Sequence, residues 1–296
     1  TLMKALIIAE HAGAAAELAA GARTMADEIV AISFGEASDC GADKVLRITV
    51  PEGVALDAAA DTVNAAFDAE QPGIVLIEAT RHMKVIAGSL AFHADTAVIT
   101  DVMSFEDAGA RSMYFGGIAE RVQKAEGDVA IYTVGAGVFE AAEGAANGAV
   151  ADQEWVEPDR PVKVLSSKAI EKSGVDLFKA DVVVAAGRGF TEEGQLDMAR
   201  DLCGKLGAGL ACSRPLTEGV NWLPTECYVG VSGLMLTPKA YIACGISGQM
   251  QHMVGCNRSG AIFAINKDKN APIFKQCDFG LVGDIKDVLP ALTAAL

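Results

Sequence analysis

Short apolar runs rich in β-branched residues alternate along most of this chain with alanine-rich stretches of helical spacing. Nothing else in the sequence restricts the fold as strongly. A strand buried on both faces reads as a near-continuous apolar run, and two such strands joined by a helix lie parallel. The runs at 4–9 (KALIIA), 28–33 (EIVAIS), 44–48 (KVLRI), 73–77 (GIVLI), 96–99 (TAVI) and 129–134 (VAIYTV) fit that description, with helical stretches such as 57–69 and 84–93 between them. The expected fold class is α/β, a mainly parallel sheet with helices on both faces. Aromatics make up only 6% of the chain against 51% for all hydrophobic types, so Ala, Val, Ile and Leu must build the core.

The rhythm breaks over 140–161, which is acidic, carries Pro158 and Pro161, and has no sustained period. One more strand-like run follows at 162–166 (VKVLS), then a polar stretch to Gly174. A second series begins at Val175, with strands expected at 181–186, 208–211, 240–244 and 261–265. Its helix at 192–206 places Leu196, Ala199, Leu202, Cys203 and Leu206 on one face, and a closing helix is expected at 284–292. The 296 residues therefore divide into two α/β domains, 1–174 and 175–296, each with its own sheet.

Charge and cysteine usage exclude several classes of function. Lys and Arg number 24 and Asp and Glu 39, for a formal charge of −15. Such a surface is a poor partner for nucleic acid or an anionic membrane. No uninterrupted apolar run is long enough for membrane insertion, and the first one ends in charge at Glu10, unlike a signal peptide. The seven cysteines (Cys40, Cys203, Cys212, Cys227, Cys244, Cys256 and Cys277) contain no C-x-x-C pair. They read as reduced core residues of a cytoplasmic protein.

The glycine-rich loops differ in promise. Gly135-Ala136-Gly137 lacks the third glycine of a dinucleotide fingerprint, and Gly189 to Gly194 has Gln195 and Leu196 where a phosphate-hydrolysing loop needs lysine and a hydroxyl. The loop after strand 240–244 reads Gly245-Ile246-Ser247-Gly248-Gln249-Met250-Gln251-His252. A helix starting near Gln249 would turn free N–H groups toward an anion beyond the strand end. An equally consistent reading is a helix capped by Ser247 with a solvent-facing histidine. Gly187-Arg188-Gly189, Cys212-Ser213-Arg214-Pro215 and Asn266-Lys267-Asp268 follow other strands and fall at the same expected edge. Ligands of open α/β sheets bind there. Two arginines beside an open helix N-terminus suit a diphosphate and an electron-rich ring.

Taken as text, VVVAAGRGF at 182–190, ACSRP at 211–215, YIACGISGQMQHMVG at 241–255, IFAINKDKNAPIF at 262–274 and DFGLVGD at 278–284 form a specific pattern. It resembles the FAD-binding domain of the α subunit of electron transfer flavoproteins. The first domain is similar to that family through Thr100-Asp101, Tyr114-Phe115-Gly116-Gly117 and the strand at 129–134. YVGVSGLMLTP at 228–238, GQMQHMVG at 248–255, NKDKNAPIF at 266–274 and the ending LPALTAAL resemble the Fix-type branch, associated with carnitine and crotonobetaine reduction or with nitrogen fixation. Mitochondrial-type members carry Val-Gly-Gln-Thr-Gly-Lys where this chain has Val229-Gly230-Val231-Ser232-Gly233-Leu234. The hydroxyl is kept, and the amide and lysine are lost.

The resemblance implies a Rossmann-like FAD-binding second domain. Arg188 would meet the diphosphate or adenosine portion, with Ser213 and Arg214 beside the isoalloxazine. Val229, Gly230, Val231 and Ser232 would line the ring, the Ser232 hydroxyl reaching N5. Ser247, Gly248, Gln249, Met250 and Gln251 would follow the ribityl–diphosphate stretch. His252 would point at the pyrimidine end as donor or cation, and Asn266, Asp284 and Ile285 would hold the adenosine. Positive charge near the ring would raise its potential.

The resemblance further implies an electron carrier rather than a complete enzyme. It would be the α subunit of a heterodimer whose scaffold domain contacts an electron transfer flavoprotein β subunit. It would shuttle electrons between a donor and an acyl-CoA dehydrogenase-like or quinone-linked partner, and its flavin domain would swivel on a connector within 140–175. Three alternatives stay open at this point: a subunit of a bifurcating complex that oxidises NADH and reduces ferredoxin, a stand-alone flavin oxidoreductase, and a non-redox nucleotide-binding module. His11, His82 and His93, dispersed in the first domain, read as structural or surface residues.

Overall fold

A computed structural model describes residues 3–36, 39–142, 144–168 and 175–296. Contacts divide the chain into two compact units, Thr1–Tyr114 with Glu120–Lys168, and Phe115–Ala119 with Ala169–Leu296. The domain boundary expected near 170–176 falls mostly on 169–174, outside the described residues. No helix among the described residues is long and apolar enough to cross a membrane.

The first unit carries strands β1 (Lys4–Ala9), β2 (Glu28–Phe34), β3 (Lys44–Ile48), β4 (Ile74–Glu78), β5 (Val98–Glu106), β6 (Gly109–Tyr114), β7 (Ala119–Gln123), β8 (Ala130–Val134) and β9 (Ala149–Gln153). They form one sheet in the order β7-β6-β5-β8-β4-β1-β2-β3-β9. The strand β1 pairs in parallel with both β2 and β4, and antiparallel pairing joins β5 to β6. Side chains of β1 alternate between two cores, as a pleated strand requires. Leu6 and Ile8 pack with residues of α2 (Ala60–Glu70) and α3 (Arg81–His93), while Ala5, Ile7 and Ala9 pack with α1 (Ala12–Arg23). Thr80 caps α3, its hydroxyl accepting the Met83 N–H at 3.2 Å.

The first unit departs from the sequence reading, among other places, at β5 and at 162–166. The strand expected at 96–99 runs on as β5 to Glu106 and turns back at Gly109, where any Cβ would sit 2.3 Å from the Gln123 carbonyl oxygen. The run at 162–166 forms no strand; Lys163 makes one isolated antiparallel bridge to Val54.

In the second unit β10 (Val182–Ala186), β11 (Gly209–Cys212), β12 (Ala240–Cys244), β13 (Ala261–Asn266) and β14 (Phe279–Val282) are all parallel, in the order β11-β10-β12-β13-β14. The chain enters at β10, adds β11 on one side, then crosses to β12 on the other, so the loops after β10 and β12 diverge. Helices α4 (Leu196–Leu206) and α6 (Ile285–Ala295) cover one face. The short α5 (Met250–Met253), a helical turn at Pro272–Lys275 and the loop with Val229 and Leu236 cover the other. Gly207, at φ +62, ends α4 in the left-handed conformation that glycine accepts without strain.

Candidate functional site

Two glycine loops create the opening. Gly189 donates its N–H to the Gly245 carbonyl at 2.9 Å, and a Cβ on Gly189 would lie 2.6 Å from the Gly245 Cα. Gly245 itself has φ +63. The backbones after β10 and β12 thus touch with no side chain between them. In front of them lies a cleft of about 520 Å³, within the usual size range of cofactor sites.

Twelve of the residues singled out from the sequence line it: Arg188, Ser213, Arg214, Val231, Ser232, Ser247, Gln249, Gln251, His252, Asn266, Asp284 and Ile285. Four others lie behind or beside the lining. Val229, Gly230 and Gly248 are buried and Met250 is half-buried. Gly248 faces the protein: at φ +82, a Cβ there would sit 2.4 Å from the Ile273 backbone. Its conformation serves the packing of the loop on the turn at Pro272–Lys275. Gly189, Pro215, Gly245, Ile246 and Lys267, from the loops expected at this edge, also line the cleft, as does Tyr228, to which sequence reasoning assigned no separate role.

The charged side chains are unequal. Arg188 and Lys267 are exposed and form no ion pair among the described residues. Arg214 is paired with Glu218, Nε to Oε2 at 2.5 Å, one turn further along. Its guanidinium pKa is raised by that hydrogen bond, and its charge is partly neutralised within its own loop. The separation of four residues was a signal available in the sequence. Asp284 caps α6, accepting the Lys286 N–H at 3.0 Å.

Several polar groups are braces. The Asn266 side-chain amide donates to the Ile246 carbonyl at 2.9 Å, holding the loop after β12, and accepts the Asp268 N–H at 2.9 Å, holding its own loop after β13, so both ends are committed. The Ser247 carbonyl accepts from Ile273 N–H at 3.0 Å, and the Gly248 carbonyl from the Gln276 side chain at 2.9 Å. Ser247 does not cap α5: the cap position is Gln249, without a side-chain hydrogen bond. The helix expected near Gln249 does start at Met250, but it spans only four residues. One turn has little macrodipole, so anion attraction rests on the cations and on individual polar groups.

His252 is buried, with Nε2 3.0 Å from the Tyr241 hydroxyl. Its Nδ1 is enclosed without a hydrogen bond of normal geometry among the described residues. Burial pushes the imidazole down to about 4, against a smaller pull from the Val229 backbone. A ring with that pKa is neutral at pH 7, so of the two expected roles, donor or cation, burial favours the donor. Burial also holds the Tyr241 phenol well above its ordinary range.

The lining fits a dinucleotide bearing an aromatic ring. Three cations and one carboxylate face the cleft in a chain of charge −15. Neutral donors at Ser247, Gln249 and Gln251, the hydroxyls of Ser232 and Tyr228, glycine backbone and the apolar Val231 and Pro215 complete the lining. All seven cysteines are free, and no group among the described residues has metal-site geometry.

Similarity to known proteins places the chain in a family. The electron transfer flavoprotein FAD-binding domain model matches residues 176–257, and the electron transfer flavoprotein domain model matches 5–159. Protein FixB of Salmonella typhimurium strain LT2 is 40% identical over 293 residues, covering 95% of this chain and 94% of its own length. Protein FixB of Escherichia coli O7:K1 is 44% identical over 230 residues, 76% of this chain and 74% of its own length. This chain belongs to the electron transfer flavoprotein α-subunit family, in its Fix-type branch, and FAD is the cofactor of its second unit.

Proposed function

We propose that the chain is the FAD-carrying α subunit of a heterodimeric electron transfer flavoprotein. It takes electrons from a donor and passes them to an acyl-CoA dehydrogenase or reductase-type flavoenzyme, or to a quinone-linked one. The observation that carries this reading is the cleft at the crossover of the second sheet, where cations without an ion pair among the described residues, glycine backbone, neutral donors and apolar side chains meet in one lining. FAD supplies the one- and two-electron chemistry, and the protein supplies position and field. Arg188 and Lys267 attract the diphosphate. Ser247, Gln249 and Gln251 donate along the chain between the phosphates and the ring. Asp284 and Ile285 receive the adenosine, with Asn266 bracing the neighbouring loop after β12. Ser213, Val231 and Ser232 border the ring, with His252 a neutral polar neighbour.

The first unit is the scaffold that meets a β-type partner subunit, and a cytoplasmic setting suits the chain's seven free cysteines. The partners are tested by co-expressing the chain with its β-type subunit. The expected result is a yellow complex whose released flavin is FAD, and whose photoreduced form transfers electrons to a flavoenzyme partner without turning over NADH alone. A complex that stays colourless after incubation with FAD overturns the reading. NADH turnover by the isolated chain would replace it with a stand-alone oxidoreductase.

A further inference from the structure

Tyr228 lines the cleft yet is only 4% exposed, because its own loop is wrapped over it. The wrapping is reciprocal. Leu234 N–H donates to the Tyr228 carbonyl at 2.7 Å, Gly230 N–H to the Leu234 carbonyl at 3.0 Å, and Gly233 N–H to the Gly230 carbonyl at 2.9 Å. Val229 N–H donates to the Cys212 carbonyl at 2.9 Å, anchoring the loop to the end of β11. The two glycines make room for the ring. A Cβ on Gly230 would lie 2.9 Å from the Tyr228 hydroxyl oxygen, and one on Gly233 would lie 2.6 Å from Cδ1. The turn tip carries Ser232, exposed in the lining, with Oγ 3.2 Å from the Tyr228 Oη.

A serine hydroxyl on a turn tip rotates freely. A second hydroxyl at hydrogen-bond distance reduces its choices to two. Either the phenol donates to Ser232, whose own proton then points into the cleft, or Ser232 donates to the phenol and offers the cleft a lone pair. The two states interconvert by rotating two O–H bonds, with no heavy atom moving. The neighbouring side chain, Val231, has no polar group to compete.

We propose that Tyr228 is a positioning residue: it holds the Ser232 hydroxyl toward the flavin ring and lets it serve as donor or acceptor, acting on the ring only through Ser232. The same serine then suits a bare ring nitrogen and a protonated one. This rests on the reading of the cleft as the FAD site, so the test separates the two.

The complex of the full chain with its β-type subunit is loaded with FAD, and flavin occupancy is measured first. The flavin potential is then titrated in the wild type, Tyr228→Phe, Ser232→Ala and the double variant. Tyr228→Phe keeps the ring in its glycine pocket and removes only the hydroxyl. The expected result is full occupancy throughout and about a fivefold change in the oxidised-to-reduced ratio at fixed potential for Tyr228→Phe, the scale of one hydrogen bond. In the Ser232→Ala background that change vanishes, and in a Ser232→Thr background, which restores a hydroxyl, it returns. An unchanged potential in Tyr228→Phe, or equal effects with and without the Ser232 hydroxyl, overturns the proposal while leaving the FAD site intact. Loss of flavin in Tyr228→Phe but not in Ser232→Ala also overturns it, making Tyr228 a packing residue. A wild-type complex without flavin overturns both readings.

Discussion

The two sheets end in crevices of the same topological kind and treat them in opposite ways. In the first unit the loops after β1 and β4 diverge, as do those after β10 and β12 in the second. The first crevice is closed by the protein's own side chains. Glu78 accepts the N–H groups of Glu10 and His11 at 2.7 and 3.0 Å and pairs with the His11 ring at 2.7 Å. Glu10 in turn accepts the Thr80 hydroxyl at 2.9 Å and meets the His82 ring at 3.1 Å. A carboxylate thus occupies the backbone donors that a phosphate would otherwise take. The second crevice has glycines in close backbone contact and, beside them, Arg188 and Lys267 with no ion pair among the described residues. Parallel topology supplies the crevice, and the first residues after each strand decide whether it stays open.

The largest effect should come from breaking the glycine contact. In Gly189→Val the new side chain has backbone of Gly245 on one side, 2.6 Å from its Cβ, and neither loop can yield without opening the strand ends. FAD retention should be lost, and the second unit should be destabilised by about 2 kcal/mol or more. Flavin absorbance and a thermal melt measure both. Full occupancy at unchanged melting temperature would show that the contact does not shape the cleft.

Acid should weaken the open crevice next. His252 is held neutral by burial, with its pKa lowered from 6.5 to about 4. Between those values the unfolded chain binds a proton that the folded chain refuses, so stability falls as pH drops from 6.5 toward 4 and is unaffected by this group above 6.5. The loss amounts to roughly 3 kcal/mol across the window. Denaturant titrations at pH 7 and pH 5 should differ less in His252→Asn than in the wild type; an equal difference removes His252 as the cause. At the closed crevice, Glu78→Ala strips the acceptor from two backbone N–H groups. It should cost about 1–3 kcal/mol of stability with flavin occupancy unchanged. Loss of flavin in that variant would mean that the two edges are not independent.

What was legible in the sequence follows from burial. The strands β1, β3 and β12 match the expected runs residue for residue, because two-sided burial leaves β1 and β12 a near-continuous apolar signal and β3 keeps its buried Val45, Leu46 and Ile48. The strand β9 (AVADQ) is mostly exposed and β14 (FGLV) entirely so, and neither edge strand has that signal. The helix at His252 starts one residue after the expected position and spans only four residues. At Gly255 the chain passes so close to Gly230 that a Cβ would lie 2.5 Å from its nitrogen, a tertiary contact with no local trace. The loops of the cleft were legible by their position after strands. The work their side chains do was not. Asn266 looks like a ligand group in sequence and is a brace in three dimensions. Tyr228 is visible only once the glycines at 230 and 233 are seen to fold over its ring.

The smallest effect belongs to Arg214, and it refines the contrast between open and closed edges. The sequence suggested a fixed positive charge beside the ring, with a lower flavin potential expected on its removal. Glu218 holds that guanidinium in an exposed pair, with the side chains 61% and 49% exposed. Solvent screens both charges, and a cation paired this way projects little net field. Arg214→Ala should therefore shift the oxidised-to-reduced ratio by no more than about threefold, toward the oxidised form. Glu218→Gln should shift it the other way by a similar amount, because the guanidinium keeps its place and loses its counter-charge. Opposite shifts, both shrinking as salt is raised, identify a local ion pair that attenuates the open crevice's positive field. If Arg214→Ala shifts the ratio strongly while Glu218→Gln does nothing, the arginine leaves Glu218 when flavin is bound and gives its whole charge to the ring.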